Sequence, residues 1–170
     1  MCENVVTMEP VRMQVMAVLG GSVATHKEER VAERVGATAA RCGWVLLTGG
    51  GPGVMAAACR GAVAAGGLTL AILPTPHPTA GYPNPWVHLP VFTGAGNARN
   101  AFNVLSASLC VAIGGGAGTL SEIALALKAG VPVWCWHSWA LEQPSGGSPP
   151  DLRVIEDAEE LIRDLEDTLF

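Results

Sequence analysis

The sequence predicts an α/β fold: a doubly wound parallel sheet with helices on both faces, three layers in a single domain. Three observations carry that prediction. Short apolar runs of strand length alternate along the chain with segments whose apolar residues recur at helical spacing. Those runs are near-continuous rather than alternating, the pattern of strands covered on both faces. Two glycine-rich turns, residues 49–55 and 114–122, stand where such a run gives way to a helical segment, and open parallel sheets place their ligands at these strand ends. This is the Rossmann-like arrangement, and the 170 residues suffice for one such domain over the whole chain.

Residues 1–11 read as a loose leader. Residues 13–19 are a first strand ending in Gly20, Gly21 and Ser22. Thr25 and Glu28 have capping-box spacing, each side chain serving the other's free backbone N–H, and they open a helix carrying Val31, Val35 and Ala39. A second strand, 44–47, runs into Thr48 and Gly49, and a small-residue helix over 54–65 is closed by Gly66 and Gly67. Residues 68–73 form a third strand, 74–86 a proline-rich loop and 87–91 a fourth strand. Asn97 is expected to cap a helix reaching about residue 107, followed by a fifth strand, 109–113. The second glycine turn leads into a helix ending near Lys128, with Gly130 as its stop, then a sixth strand over 131–136. The acidic tail, 151–170, reads as a C-terminal surface helix starting about Ile155.

Hydrophobic residues make up 49% and charged residues 15%, too little charge to cover a monomer, so a buried apolar face in a homodimer or homotetramer is expected. The net charge of −5 gives no reason to expect nucleic acid or an anionic membrane as partner. Its distribution says more. No Asp or Glu occurs between Arg34 and Ser121, while Arg34, Arg41, Arg60 and Arg99 are all present, which favours holding an anion. The five cysteines form no C-x-x-C pair and read as small buried hydrophobes in a reducing compartment. No signal peptide and no membrane-length apolar run is visible, so a cytoplasmic protein is expected. No metal site is expected.

In the first turn, Gly49, Gly50, Gly51 and Gly53 let the backbone bend tightly and approach a ligand, while Val54 and Met55 begin a helix that offers free N–H groups and a positive dipole end. Gly51, Gly53 and Ala56 match a dinucleotide-binding spacing, but the ribose-holding acid expected about 20 residues later is missing. No P-loop G-K-[ST] occurs. The second turn, with Gly114, Gly115, Gly116, Gly118 and Thr119, repeats the arrangement, and Gly20, Gly21 and Ser22 close the first strand at the same sheet edge. All of these are ligand-binding candidates. In the helix after the second turn, Leu120, Ile123, Ala124 and Leu127 read as the core stripe. Thr119, Glu122 and Ala126 share a different face, which puts Glu122 one turn from the anion site. Arg99, Asn103 and Ser106 share a face of the preceding helix, and the Arg99 fork suits a phosphate. His77 and His88 read as loop or surface residues, the Trp134–Trp139 run as strand and interface packing, and Ser121 lacks a nucleophile elbow.

These segments resemble the LONELY GUY-type phosphoribohydrolases, once labelled lysine decarboxylases. Residues 49–55 are similar to their "GGG-x-x-G-[LV]-M" motif, 114–122 to their "PGG-x-GT-x-x-E" motif, and Arg99 falls at their "RK" pair. The wording of residues 43–50, 65–67, 91–99 and 122–129 is closer to a sister branch, the molybdenum cofactor carrier proteins. The resemblance implies a phosphate over Gly116, Gly118 and Thr119, with Gly50, Gly51 and Gly53 lining the site. Asn100 stands where the enzymes have Lys, and Gly114 where they have Pro. The first expectation is therefore a carrier of a phosphate-bearing small molecule such as molybdenum cofactor, with no cofactor required by the chain itself. The second is a phosphoribohydrolase of nucleoside 5′-monophosphates, with Arg99 and Glu122 catalytic; the third is a nucleotide sensor. Pyridoxal phosphate chemistry is rejected, because neither lysine, Lys27 or Lys128, is near a glycine turn.

Overall fold

The structure is a computed structural model that describes residues 13–169; the expected leader lies outside them. Seven parallel strands stand in the order β4-β3-β2-β1-β5-β6-β7. They are β1 (Val15–Gly20), β2 (Val45–Thr48), β3 (Thr69–Leu73), β4 (Leu89–Phe92), β5 (Leu109–Ile113), β6 (Val133–Trp136) and β7 (Leu152–Ile155). The helices are α1 (His26–Arg41), α2 (Val54–Ala64), α3 (Arg99–Leu105), α4 (Ala117–Lys128) and α5 (Ala158–Leu169). The two cores reflect the two helical layers. Val31, Val35, Ala58, Ala62, Leu161 and Leu165 of α1, α2 and α5 cover one face of the sheet; Val104, Ile123 and Ala126 of α3 and α4 cover the other.

Strand order reverses between β1 and β5, where Leu19 pairs with Ala112 and Gly20 with Ile113. The turns after β1 and β5 therefore leave the sheet side by side at its topological switch point, and the turn after β2 lies one strand away. This placement builds the site.

The expected capping box is present: Glu28 N–H donates to Thr25 Oγ1 at 3.2 Å, and Thr25 N–H to Glu28 Oε2 at 2.7 Å. Other expectations need correction. Asn97 does not cap α3; it lies within a single 3-10 turn, Gly96–Ala98, and α3 follows from Ala98 without a side-chain cap. Residues 152–155 are a strand, not part of the terminal helix, and pair with β6 as the seventh strand. The helix behind it starts only at Ala158, after Asp157 accepts from the N–H groups of Glu159 and Glu160 at 2.8 and 2.9 Å. It buries Leu161, Ile162, Leu165 and Leu169, which makes it half core.

Candidate functional site

A cleft of about 250 Å³ opens at the switch point. It is lined from β1 by Gly20, Gly21 and Ser22, from α2 by Met55, and from α4 by Gly116, Gly118, Thr119 and Glu122. Arg99, Asn97 and Asn100 close it from the α3 side and Tyr82 from the proline-rich loop. The sequence-predicted residues thus divide. Nine of the candidates face the cleft, whereas Gly49, Gly50, Gly51, Gly53, Val54, Gly114 and Gly115 do not line it and instead shape its walls. The Arg99 guanidinium lies where a Gly49 Cβ would be, so Gly49 is a seat for the arginine. Gly53 has φ 65° and ψ −128°, and a Cβ there would meet the carbonyls of Gly21 and Ser22. Its bareness lets the β1 and β2 turns touch.

The helix ends differ in a way that bears on the chemistry. Helices α1 and α5 carry side-chain caps. Helices α2 and α4, which start at the glycine turns, have no side-chain cap. The first N–H groups of α4 therefore remain donors at the positive end of the helix, and no atom stands within 4 Å of where a Cβ of Gly116 or Gly118 would be. The carbonyls of this turn are turned to other work: Ser138 Oγ donates to Gly114 O at 2.6 Å and the Trp139 indole N–H to Gly116 O at 3.2 Å. On the β2 turn, Asn84 does the same, its N–H donating to Gly50 O at 2.7 Å and its Nδ2 to Gly51 O at 3.0 Å.

Glu122 faces this cradle from the second turn of α4. Its Oε1 accepts from Asn103 Nδ2 at 3.1 Å and stands 3.5 Å from Arg99 Nη1. The Arg99 side chain is only 13% exposed and that of Glu122 9%. At 3.5 Å the pair is an ion pair with a poor hydrogen bond, and it leaves most of the guanidinium's five donors without a partner among the described residues. Burial raises the Glu122 carboxyl above its usual range, with Asn103 and Arg99 acting in the opposite direction. A carboxyl raised in the fold contributes stability below the usual carboxylate range, and that contribution is lost as pH rises through its raised value. Glu122→Gln is therefore expected to gain stability relative to the parent chain as pH rises above the usual carboxylate range, read as the difference between the two thermal-unfolding profiles.

The predicted face of Thr119, Glu122 and Ala126 is buried, together with Ile123. Of the predicted stripe only Ile123 is buried: Leu120 and Leu127 are half-buried and Ala124 is exposed. The arginines also separate. Arg34 forms two bonds to Glu159 at 2.5 and 2.7 Å, Arg41 stands 3.2 Å from Glu166, and Arg60 lies 2.8 Å from Glu33. They lie on the outer α1, α2 and α5 surface, where an open groove of about 710 Å³ is lined by Arg30, Arg34 and Arg41 among others; among the described residues Arg99 is the one arginine that reaches the switch-point cleft. Among the Trp134–Trp139 run, Trp136 is core, while Trp139 belongs to the site. Tyr82, Asn97 and Asn100 line the cleft and were missed as site residues, as was Trp139 behind Gly116. Tyr82 is the chain's single tyrosine, set in a proline-rich loop after a strand end, which was the signal available.

Cys59, Cys110 and Cys135 are buried as expected, whereas Cys42 is only half-buried, and burial pushes the Cys110 thiol up to about 12 and that of Cys135 to about 11. Among the described residues no group of three His, Cys, Asp or Glu side chains could hold a metal ion, and no helix is long and apolar enough to cross a membrane.

Known proteins share this architecture. The molybdenum cofactor binding protein of the phototrophic bacterium Rippkaea orientalis superposes with a TM-score of 0.80 at 35% identity, covering 95% of this chain and 100% of that one. The molybdenum cofactor carrier protein of Chlamydomonas reinhardtii does so with a TM-score of 0.77 at 33% identity, covering 93% and 99%. An uncharacterized protein of Archaeoglobus fulgidus is 40% identical over 119 residues, which is 70% of this chain and 77% of that protein. The family model of SLOG cluster4 matches residues 13–160, and the chain belongs to the SLOG cluster4 family.

Proposed function

We propose that the chain is a cytoplasmic binding protein that carries a phosphate-bearing small molecule, the molybdenum cofactor, with the phosphate on the α4 N-terminus. The observation that carries this reading is that uncapped helix end, open above Gly116 and Gly118 and facing the under-bonded Arg99. Backbone N–H groups at a positive helix end, opposed by a guanidinium fork, suit a phosphate monoester. The similar structures are themselves a molybdenum cofactor binding protein and a molybdenum cofactor carrier protein, which supports the same cargo here. Incubation of the purified protein with released molybdenum cofactor, followed by gel filtration and pterin fluorescence, tests it. Co-elution that weakens in Arg99→Ala and stays within a few-fold in Glu122→Gln is the expected result; no co-elution overturns the reading.

One observation favours a second reading. A carrier needs the cradle alone, yet Glu122 and Arg99 are a nearly buried acid–base pair opening on the cleft. In a nucleoside 5′-monophosphate phosphoribohydrolase, Glu122 would stabilise positive charge developing on the ribose. Release of adenine from AMP, lost in Glu122→Gln, would replace the carrier reading.

The low charge content and the α3 surface support self-association. Phe102 is 47% and Leu105 65% exposed, and Leu105 borders an apolar groove of about 260 Å³ with Ala101, Val104 and Leu125. A second copy covering this face gives a homodimer or homotetramer. Light scattering is expected to show an oligomer that Leu105→Glu converts to monomer; a monomeric parent chain at micromolar concentration would contradict it.

A further inference from the structure

The anion cradle fixes one end of a ligand, and the side of the cleft that faces it has its own chemistry. Asn100 lines the cleft and is only 9% exposed. The neighbouring Asn103 amide donates to Glu122, but the Asn100 amide has no hydrogen-bond partner among the described residues. Unlike Asn103 Oδ1, which is buried with no partner among the described residues, the Asn100 amide is not sealed from solvent, so its donor and acceptor are free for a ligand. Its atoms border the open space of the cleft, so a ligand is the partner within reach. Asn97 stands at the same wall, and Met55 and Tyr82 add apolar and aromatic surface to the cleft. At the position where the resembling enzymes carry a lysine, this chain therefore places a neutral group that donates and accepts at once.

We infer that Asn100 is a specificity-determining residue that reads the edge of a planar nitrogen heterocycle, presenting its donor and acceptor to an adjacent acceptor and donor on the ring. This rests on the phosphate site proposed above and adds the other half of the ligand. A carboxamide and a ring edge with neighbouring N–H and C=O, or N–H and ring nitrogen, make two hydrogen bonds together. Sugar phosphates lack such an edge, whereas purines and pterins have one. The aromatic ring of Tyr82 and the thioether of Met55 suit the faces of the same heterocycle. Asp at position 100 would keep two acceptors and lose the donor. It would then match ring edges that present two N–H donors, as guanine and pterins do, and mismatch adenine.

Calorimetric titrations with AMP, GMP, a pterin monophosphate and ribose 5-phosphate test this. The parent chain is expected to bind at least one heterocyclic phosphate roughly tenfold more tightly than ribose 5-phosphate. Asn100→Leu is expected to shrink that advantage to about twofold while leaving ribose 5-phosphate affinity unchanged. Asn100→Asp is expected to raise the GMP-to-AMP affinity ratio by roughly tenfold, a change of preference that loss of packing would not produce. Tighter binding of GMP or AMP identifies a nucleotide ligand, and of the pterin a pterin ligand; either supports the assignment. Equal binding of ribose 5-phosphate and all heterocycles, or an advantage that survives Asn100→Leu, overturns the role of Asn100 and leaves the phosphate site standing. Failure of the parent chain to bind any of the four overturns the phosphate site and this assignment with it.

Discussion

Gly116→Asp is expected to abolish ligand binding while leaving the protein slightly more stable. Gly116 is the N-cap of α4, with φ −109° and ψ −151°, an extended conformation open to any L-residue, and its Cβ would meet nothing within 4 Å. An Asp there can accept from the unpaired N–H groups of the first turn and complement the helix dipole, worth about 0.3–1 kcal/mol. For a domain of this size that is a rise in Tm of about 1–3 °C. The same carboxylate would occupy the donors proposed for the phosphate and repel it. Two unit charges about 4 Å apart at an effective dielectric constant of about 20 oppose each other by about 4 kcal/mol. A loss of affinity of at least about a hundredfold follows. Thermal unfolding and phosphate-ligand titration on one preparation check both halves. A variant that keeps its ligand would mean that the α4 end is not where the anion sits.

A large stability effect is expected at Gly53. Its positive φ is a conformation that costs a residue with a Cβ about 1–3 kcal/mol. The added methyl would also press on the backbone carbonyls of Gly21 and Ser22, which cannot move without parting the β1 turn from α2, since Val54 N–H donates to Gly21 O at 3.1 Å. Overpacking against backbone adds about 1–3 kcal/mol. Gly53→Ala should therefore lose about 3 kcal/mol or more in urea unfolding. Because Gly21 and Ser22 line the cleft, ligand affinity should fall with it. An unchanged midpoint would contradict the described contact between the two turns.

What the sequence made legible follows from how local each signal was. The Thr25–Glu28 capping box, the glycine turns and the first six strands are written within a few consecutive residues, and the structure has them. Strand β7 was hidden because Leu152–Ile155 is four residues long, flanked by acids and carries Arg153 in its middle. It becomes a strand only because β6 offers an edge to pair with. In α4 the leucines misled: its sheet-facing side carries Thr119, Glu122, Ile123 and Ala126, small or functional groups that fit beside the cleft, while Leu120 and Leu127 turn partly outward. Apolar counting finds the helix but not its rotation when the buried side holds a site. The arginines misled for the opposite reason. An acid-free stretch of sequence looked like an anion trap, yet Arg34 and Arg41 find Glu159 and Glu166 on α5, 125 residues away in each case. Of the four, Arg99 keeps its fork largely open, because its partner Glu122 is held at 3.5 Å and shared with Asn103.

The switch-point cradle, and not the larger arginine-lined groove on α1 and α2, is the proposed anion site. The most direct measurement is an amide nitrogen–proton NMR titration of the protein with inorganic phosphate. Saturable shifts centred on the amides of Gly116, Ala117, Gly118 and Thr119, absent in Gly116→Asp, are the predicted result. Shifts centred on Arg30, Arg34 and Arg41, with the α4 amides unmoved, would contradict it.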